Sequence, residues 1–309
     1  MITDALVAPL LLSRSMRNPG DVRSVQRAAR RGTLVKISHG AYTTTDAWQG
    51  LRLEGRHLVR MRAIAALRPG AVFSHRSAAV AWGMPLIGAP PALPEVLVSL
   101  AHGARNDRGV HVHRTTREFV VCDRDGLAVT DVPRTLIDVG RRCPGTVSVP
   151  MLDAALRARL TTLDRLRAEL AGGTHIGCRR AQHALDLADP SSGSPGESLS
   201  RVQFDAIGLP SPETQVQFRD HLGKIGDVDF WWRELNAIGE FDGFGKYHRI
   251  EFTNGRSPGE VVYDEKRRED RLRATSTRPI VIRWGWDEAL NPRALRALFV
   301  AAGIRLPPL

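Results

Sequence analysis

Two apolar runs near the C-terminal end of the sequence carry the residues best suited to chemistry. One reads Gly226-Asp-Val-Asp-Phe-Trp-Trp232. The other reads Ala237-Ile-Gly-Glu-Phe-Asp-Gly243, with Lys246 and His248 close behind. A carboxylate is costly in a buried strand unless its charge is compensated. A divalent metal is the usual compensation, and hard oxygen ligands suit Mg2+ or Mn2+. Such a metal beside a lysine is equipment for hydrolysing a phosphodiester.

The elements that must position these acids can be read around them. Glu197-Ser-Leu-Ser-Arg201 opens a helix that ends near Gly208-Leu-Pro-Ser-Pro212. Glu213–Phe218 alternates like a strand, and Asp227–Trp232 and Asn236–Asp242 read as the next two. Residues two apart on a strand point the same way. Asp227 and Asp229 therefore share a face, as do Glu240 and Asp242. A hairpin can bring Asp229 beside Glu240 and Asp242, with Glu197 joining from the preceding helix. The competing reading is that the aspartates cap a hairpin and Glu240 pairs with an arginine. Four acids in this pattern beside Lys246, one of only four lysines in the chain, favour the metal site. A highly charged helix over residues 262–273, a strand at 279–284 and a final helix near 292–302 complete the order. The charged helix reads mainly as a solvated face, on which Lys266, Arg267 and Arg268 could meet phosphates.

Charge points to a second function. The net charge is +11, and residues 1–85 alone carry +9. A basic segment of that size suggests a polyanion, most often nucleic acid. Residues 21–31 predict a helix with Val22, Val25, Ala28 and Ala29 on one face and Arg23, Arg27, Arg30 and Arg31 mostly on the other. A short hairpin follows over residues 33–44, around His39-Gly40, and carries Lys36. A basic helix followed at once by a hairpin is the outline of a winged helix-turn-helix; the alternative is a small helical domain with a solvated basic face. Residues 57–67 and 74–83 predict further helices. His75 and Arg76 read as structural or phosphate-contacting, because no acid is close to them in sequence.

Strand-like runs at 95–100, 109–114, 119–122 and 127–129, then helical runs at 132–142, 149–160, 162–170 and 177–187, predict a compact α+β middle domain. His111 and His113 read as a surface pair on one strand face rather than as metal ligands. The polar, Pro/Gly/Ser-rich stretch 188–196 predicts a boundary or a helix lead-in. The expected organisation is thus multidomain α+β: residues 1–88, 89–190 and 191–309. Three scattered cysteines argue against disulfides and for a reducing compartment. The interrupted apolar stretch 5–12 does not read as a signal peptide, and no run reaches the ~20 apolar residues of a membrane helix. A cytoplasmic, soluble protein with no membrane partner is expected.

These pieces carry two resemblances. Glu197-Ser with Arg201, Val228-Asp-Phe230, Glu240-Phe-Asp-Gly243 and Glu265-Lys-Arg-Arg-Glu-Asp-Arg271 before an Arg-Trp strand resemble the PD-(D/E)XK nuclease superfamily, in the branch similar to very-short-patch repair endonucleases. The basic helix, Arg31-Gly-Thr-Leu-Val35, Gly40-Ala-Tyr42 and Ser74-His-Arg-Ser-Ala-Ala79 resemble the winged-helix domain of AbiE-type antitoxins. The first resemblance implies a C-terminal α/β domain in which Asp229, Glu240 and Asp242 hold Mg2+ or Mn2+. In it the Phe241 carbonyl completes the site, Glu197 orients a water or a second metal, and Lys246 or His248 supplies a cation. Where the superfamily's E-x-K triplet expects lysine, this sequence has Asp242. The implied function is a DNA-binding, metal-dependent endonuclease; the alternative is an antitoxin-like transcriptional repressor with an inactive nuclease-like domain. The implied DNA contacts are Arg23, Arg27, Arg30, Arg31, Lys36, Arg76, Lys266, Arg267 and Arg268. The DNA partner is duplex, damaged, mismatched or branched, and a homodimer or a toxin or repair partner is left open.

Overall fold

The computed structural model describes residues 2–16, 18–100, 109–173, 176–243 and 258–308. The chain begins with α1 (Ile2–Val7) and β1 (Leu11–Leu12), and then forms the basic helix α2 (Pro19–Arg30). Pro19 stands at the first turn of α2, where a missing N–H costs nothing. A hairpin follows, β2 (Leu34–Ser38) and β3 (Ala41–Thr44), and β1 adds to the far side of β3 to give a three-stranded sheet. The hairpin is tied to α2 by the Thr33 and Thr45 hydroxyls, which donate to the Ala28 and Gly32 carbonyls. Next come α3 (Thr45–Gln49), α4 (Leu53–Leu67), β4 (Val72–Phe73) and α5 (His75–Ala81). The order continues with β5 (Glu95–Ser99), β6 (His111–Thr115), β7 (Val121–Arg124), β8 (Leu127–Thr130) and α6 (Val132–Arg142).

The helices α7 (Gly145–Arg157), α8 (Leu163–Ala171), α9 (Cys178–Asp186) and α10 (Pro195–Ala206) precede three antiparallel strands. These are β9 (Glu213–Asp220), β10 (Gly223–Trp232) and β11 (Ala237–Phe241). Then α11 (Pro258–Arg273) leads to β12 (Ile280–Trp284), and α12 (Trp286–Ala289) and α13 (Pro292–Ala301) close the chain. No helix among the described residues is long and apolar enough to cross a membrane.

The result is a mixed helix-and-sheet chain with three sheets in two compact units. One unit is Met1–Pro144 with Arg159–Leu185, and the other is Gly145–Ala158 with Asp186–Leu309. The division expected at 88/89 falls inside the first unit. Strand β4, from before that point, pairs with β5 and β8 from beyond it, in a five-stranded sheet ordered β6-β5-β4-β8-β7. One apolar core joins Ala5, Leu58 and Phe73 to Val96, Val110 and Val129. The two residues of β4 are too few to show a period, so only their long-range pairing reveals them. The stretch 188–196 is the lead-in to α10 in the second unit. Buried Asp153 of α7 accepts from the Arg201 guanidinium at 2.6 Å and from the Asp189 N–H at 2.7 Å.

Pairing of β4 with β5 also corrects two readings of histidines. Glu95 lies beside the start of α5, and its carboxylate accepts from the Arg76 N–H at 2.9 Å and contacts His113 Nε2 at 3.1 Å. An acid therefore does stand by His75 and Arg76. His113 is buried rather than exposed, and its ring stacks on that of His75 with centroids 3.5 Å apart. His57 Nε2 contacts Ser77 Oγ at 2.8 Å, and that hydroxyl also accepts from the Glu95 N–H. His75 is held at φ 51°, uncommon for a residue with a side chain.

Burial is the main influence on both histidines, pushing His57 down to about 4 and His75 down to about 3. The nearby Arg60 adds to it at His57, and His113 adds to it at His75. Both are neutral in the folded protein, whereas the unfolded chain takes up protons near pH 6.5. Their contribution is therefore fully present above pH 6.5 and is lost as pH falls toward 4 and 3. Each histidine should cost about 2 kcal/mol by pH 5. Hydrogen exchange across α5 and β5 between pH 7.5 and 5 should show the loss. His75→Asn, which suits positive φ and does not titrate, should reduce it.

Candidate functional site

The sheet of the second unit runs β12-β11-β10-β9, with β11 and β12 parallel and the other pairs antiparallel. Apolar layers cover both faces. Phe204 of α10 and Phe299 of α13 pack with Phe230, Trp232 and Trp284 on one side. Leu272 of α11 packs with Val228, Trp231, Ile238 and Val281 on the other. Every residue of β11 is buried. Glu240 is thus a carboxylate on a doubly covered central strand, 4% exposed.

Two further elements bring acids to this end of the sheet. The paired register of β10 and β11 ends at Phe230 and Gly239, and Asp229 and Glu240 are the next residues on the two strands. Asp229 Oδ2 accepts from the Phe241 N–H at 2.8 Å. Glu197 enters from the first turn of α10. Ser194 caps that helix by accepting from the Glu197 N–H, and Glu197 Oε2 reaches back to accept from the Gly193 N–H at 2.7 Å. The Ser-x-x-Glu spacing at 194–197 carries this capping signal. Gly196 admits the Phe241 ring, because a Cβ there would lie 2.0 Å from a ring carbon.

Gln215 joins Glu197 to Asp229. Its amide nitrogen donates to Glu197 Oε2 at 2.9 Å and to Asp229 Oδ1 at 3.2 Å. The backbone of Gln215 sits at φ 53°, a left-handed turn within β9. Burial first, and the charge of Asp229 second, raise the Glu197 carboxyl above its ordinary range. Burial likewise pushes Glu240 up to about 7; Arg268 opposes that rise and Asp229 adds to it.

Two arginines answer the remaining charge. Arg268 Nη2 donates to Glu240 Oε1 at 2.9 Å and to the Asp227 carbonyl at 2.8 Å, while Nη1 donates to Glu265 at 3.2 Å. Arg283 of β12 grips both oxygens of Asp242 at 2.9 Å, and its Nη1 reaches Glu265 at 2.8 Å and Glu269 at 3.3 Å. The Asp242 bond heads the influences that hold the Arg283 guanidinium above its usual range. Burial works against charge on Arg268, and Glu240 and Glu265 outweigh it.

Of the expected catalytic and metal residues, Glu197 and Asp229 are joined through Gln215, with Glu240 across the strand pair. Asp242 is turned to Arg283 instead. Asp227 stays exposed and pairs with Lys224 at 2.8 Å, away from the others. Lys246 and His248 lie outside the described residues. Among the described residues, no group of three or more His, Cys, Asp or Glu side chains is set to hold a metal ion. Glu197, Asp229 and Glu240 offer only oxygen donors, the type hard cations take, and the Asp229 charge raises both glutamates.

The basic residues divide similarly. Arg23, Arg27, Arg30 and Arg31 of α2 and its following turn, and Lys36 of β2, are exposed. Lys266 and Arg267 are exposed on α11. Arg76 and Arg268 depart from the expected open surface. The Arg76 guanidinium is half-buried and donates to the Ala89 carbonyl, and Arg268 is held by Glu240. The bridging role of Gln215, and the roles of Glu265 and Arg283 as charge partners, are not among the expectations from sequence. Residues 213–218 look like plain strand alternation, and the arginines are two among forty.

No family model matches the chain. Two uncharacterized proteins of Mycobacterium tuberculosis, MT2308 of strain CDC 1551 / Oshkosh and Rv2248 of strain H37Rv, are each 31% identical to it over 145 residues, 46% of this chain and 50% of theirs. The chain thus spans about half the length of the curated relatives it matches. The crystal structure of the RV2827C protein from Mycobacterium tuberculosis aligns with 71% of this chain and 87% of its own, at 17% identity and a TM-score of 0.39.

The left-handed backbone at Gln215 gives a direct check on whether strain is stored there. Glycine adopts positive φ freely. Gln215→Gly should therefore be more stable than Gln215→Ala by about 1 kcal/mol in urea unfolding, although both lose the amide bridge.

Proposed function

We propose that the protein binds DNA through its basic N-terminal helix and hairpin, used as a winged helix-turn-helix, and hydrolyses phosphodiester bonds in its second unit with Mg2+ or Mn2+. The observation that carries the catalytic half is the amide bridge of Gln215 between Glu197 of α10 and Asp229 of β10, with the Asp229 charge also felt by Glu240 of β11. In this reading Asp229 and Glu240 hold the cation, with the Phe241 carbonyl. When bound, a divalent cation lowers the pKa of its water and stabilises charge on the phosphate. Glu197, fixed at the head of α10, orients the attacking water. Asp242, neutralised by Arg283, anchors the end of β11.

The binding half rests on the exposed arginines of α2. Arg27 donates to Ser24 on its own helix, and none of Arg23, Arg27, Arg30 and Arg31 forms a salt bridge with a described acid. Unanswered positive charge on one helix suits phosphate contact. Lys36 on the hairpin extends it.

A second reading has its own observation. Glu240 and Asp242 are each already neutralised by an arginine, an arrangement that stands without metal. That favours an antitoxin-like repressor whose nuclease-like unit is inactive.

Nicking of supercoiled plasmid separates the two. The first reading expects Mn2+- or Mg2+-dependent cleavage that Asp229→Ala abolishes while DNA binding persists. If duplex, mismatched and branched DNA are all bound but never cut, the repressor reading takes its place. In both, Arg27→Ala should weaken DNA binding roughly fivefold and lower the salt dependence by about one phosphate contact, measured by fluorescence anisotropy across salt.

A further inference from the structure

We infer that Arg268 is a displaceable stand-in for the cation: it occupies Glu240 in the free protein and must leave that carboxylate before a divalent ion can use it. The inference rests on the proposed cation-binding reading of Asp229 and Glu240. Three features of the chain support it. First, Arg268 is held by contacts that reach into the sheet. One nitrogen bridges Glu240 Oε1 and the Asp227 carbonyl, on the two strands that carry the acids. Second, the sheet leaves room for it. Gly226 lies under the guanidinium, where a Cβ would meet Arg268 Nε at 2.8 Å. Third, a second anchor waits on the same helix. Glu265 already accepts from Arg268 at 3.2 Å and from Arg283 at 2.8 Å, so Arg268 can release Glu240 without losing every partner.

The position on α11 also connects this exchange to DNA. Lys266 and Arg267 are exposed neighbours of Arg268 on that helix. A phosphate drawn to them offers Arg268 an anionic partner of the kind guanidinium groups grip best. DNA and cation would then favour the same rearrangement, each removing part of what opposes the other.

The test is Mn2+ binding by the full chain, followed by electron paramagnetic resonance without DNA or turnover. The proteins are wild type, Arg268→Gln, Lys266→Gln, and each of the first two carrying Asp229→Asn. Losing a charged hydrogen-bond competitor should tighten binding roughly tenfold in Arg268→Gln. Lys266→Gln removes the same charge from the same helix without touching the acids, and should change binding little. Asp229→Asn should remove the site in both backgrounds. Equal tightening in Lys266→Gln and Arg268→Gln would overturn the inference, since bulk charge would then suffice. So would unchanged or weaker binding in Arg268→Gln, with Asp229-dependent binding intact in wild type; the cation reading would survive that result. If no protein shows Asp229-dependent Mn2+ binding, the cation reading itself fails and takes the inference with it. Should Arg268→Gln lose cooperative unfolding, Arg268→Lys carries the same test. It keeps the charge but not the forked grip, and should still bind Mn2+ more tightly than wild type.

Discussion

Glu240 sits on a strand with aromatic side chains packed against one face of the sheet and a helix against the other, and a carboxylate there cannot remain ionised alone. Burial raises its pKa, Asp229 of the neighbouring strand raises it further, and Arg268, with a smaller part from Arg283, works in the opposite direction. Much of the second unit's polar architecture answers that one charge. The Arg268 guanidinium reaches from α11 to Glu240, Gly226 leaves it room, and Glu265 ties it to Arg283. Arg283 in turn holds Asp242 at the end of β11. A buried pair of this kind adds little net stability over an apolar substitute, yet removing one partner leaves a costly lone charge.

The first unit uses arginine–carboxylate pairs too, at Arg134–Asp138 and Arg117–Glu169, but its buried Glu95 is held in another way. Around Glu95 it uses histidine rings, serine hydroxyls and the Arg76 N–H, with no described arginine side chain on the carboxylate. These groups lock the start of α5 to β5 and leave the arginines of α2 free on the surface. The arginines of α2 stay outward, while Arg134 of the same unit is buried against Asp138, and Arg268 and Arg283 of the second unit are held by its acids.

Much of this was legible in the sequence, for physical reasons that differ by element. The basic helix, the hairpin after it and the strands from Glu213 to Phe241 follow local period and punctuation, and they form near the expected positions. The placing of Asp229 and Glu240 on neighbouring antiparallel strands follows from strand alternation and a short connection. What could not be read was non-local. Pairing of β4 with β8 merges two expected domains, and pairing of β4 with β5 sets Glu95 against the SHRS segment, Ser74 to Ser77. The turn of Asp242 toward Arg283 depends on β12 running parallel to β11, with Glu240 beside Arg283 in register. The left-handed Gln215 breaks an alternation that looks regular as sequence. Lys246 and His248, expected to supply a cation, lie outside the described residues.

The central claim is that the carboxylates of β10 and β11 form a cation site in which arginine substitutes for metal. Anomalous X-ray diffraction from crystals of the full chain soaked in Mn2+ tests it most directly. The account predicts a manganese peak between Asp229 and Glu240, with the Arg268 side chain moved off Glu240 toward Glu265. An empty site, with Arg268 still on Glu240 at saturating Mn2+, would contradict it.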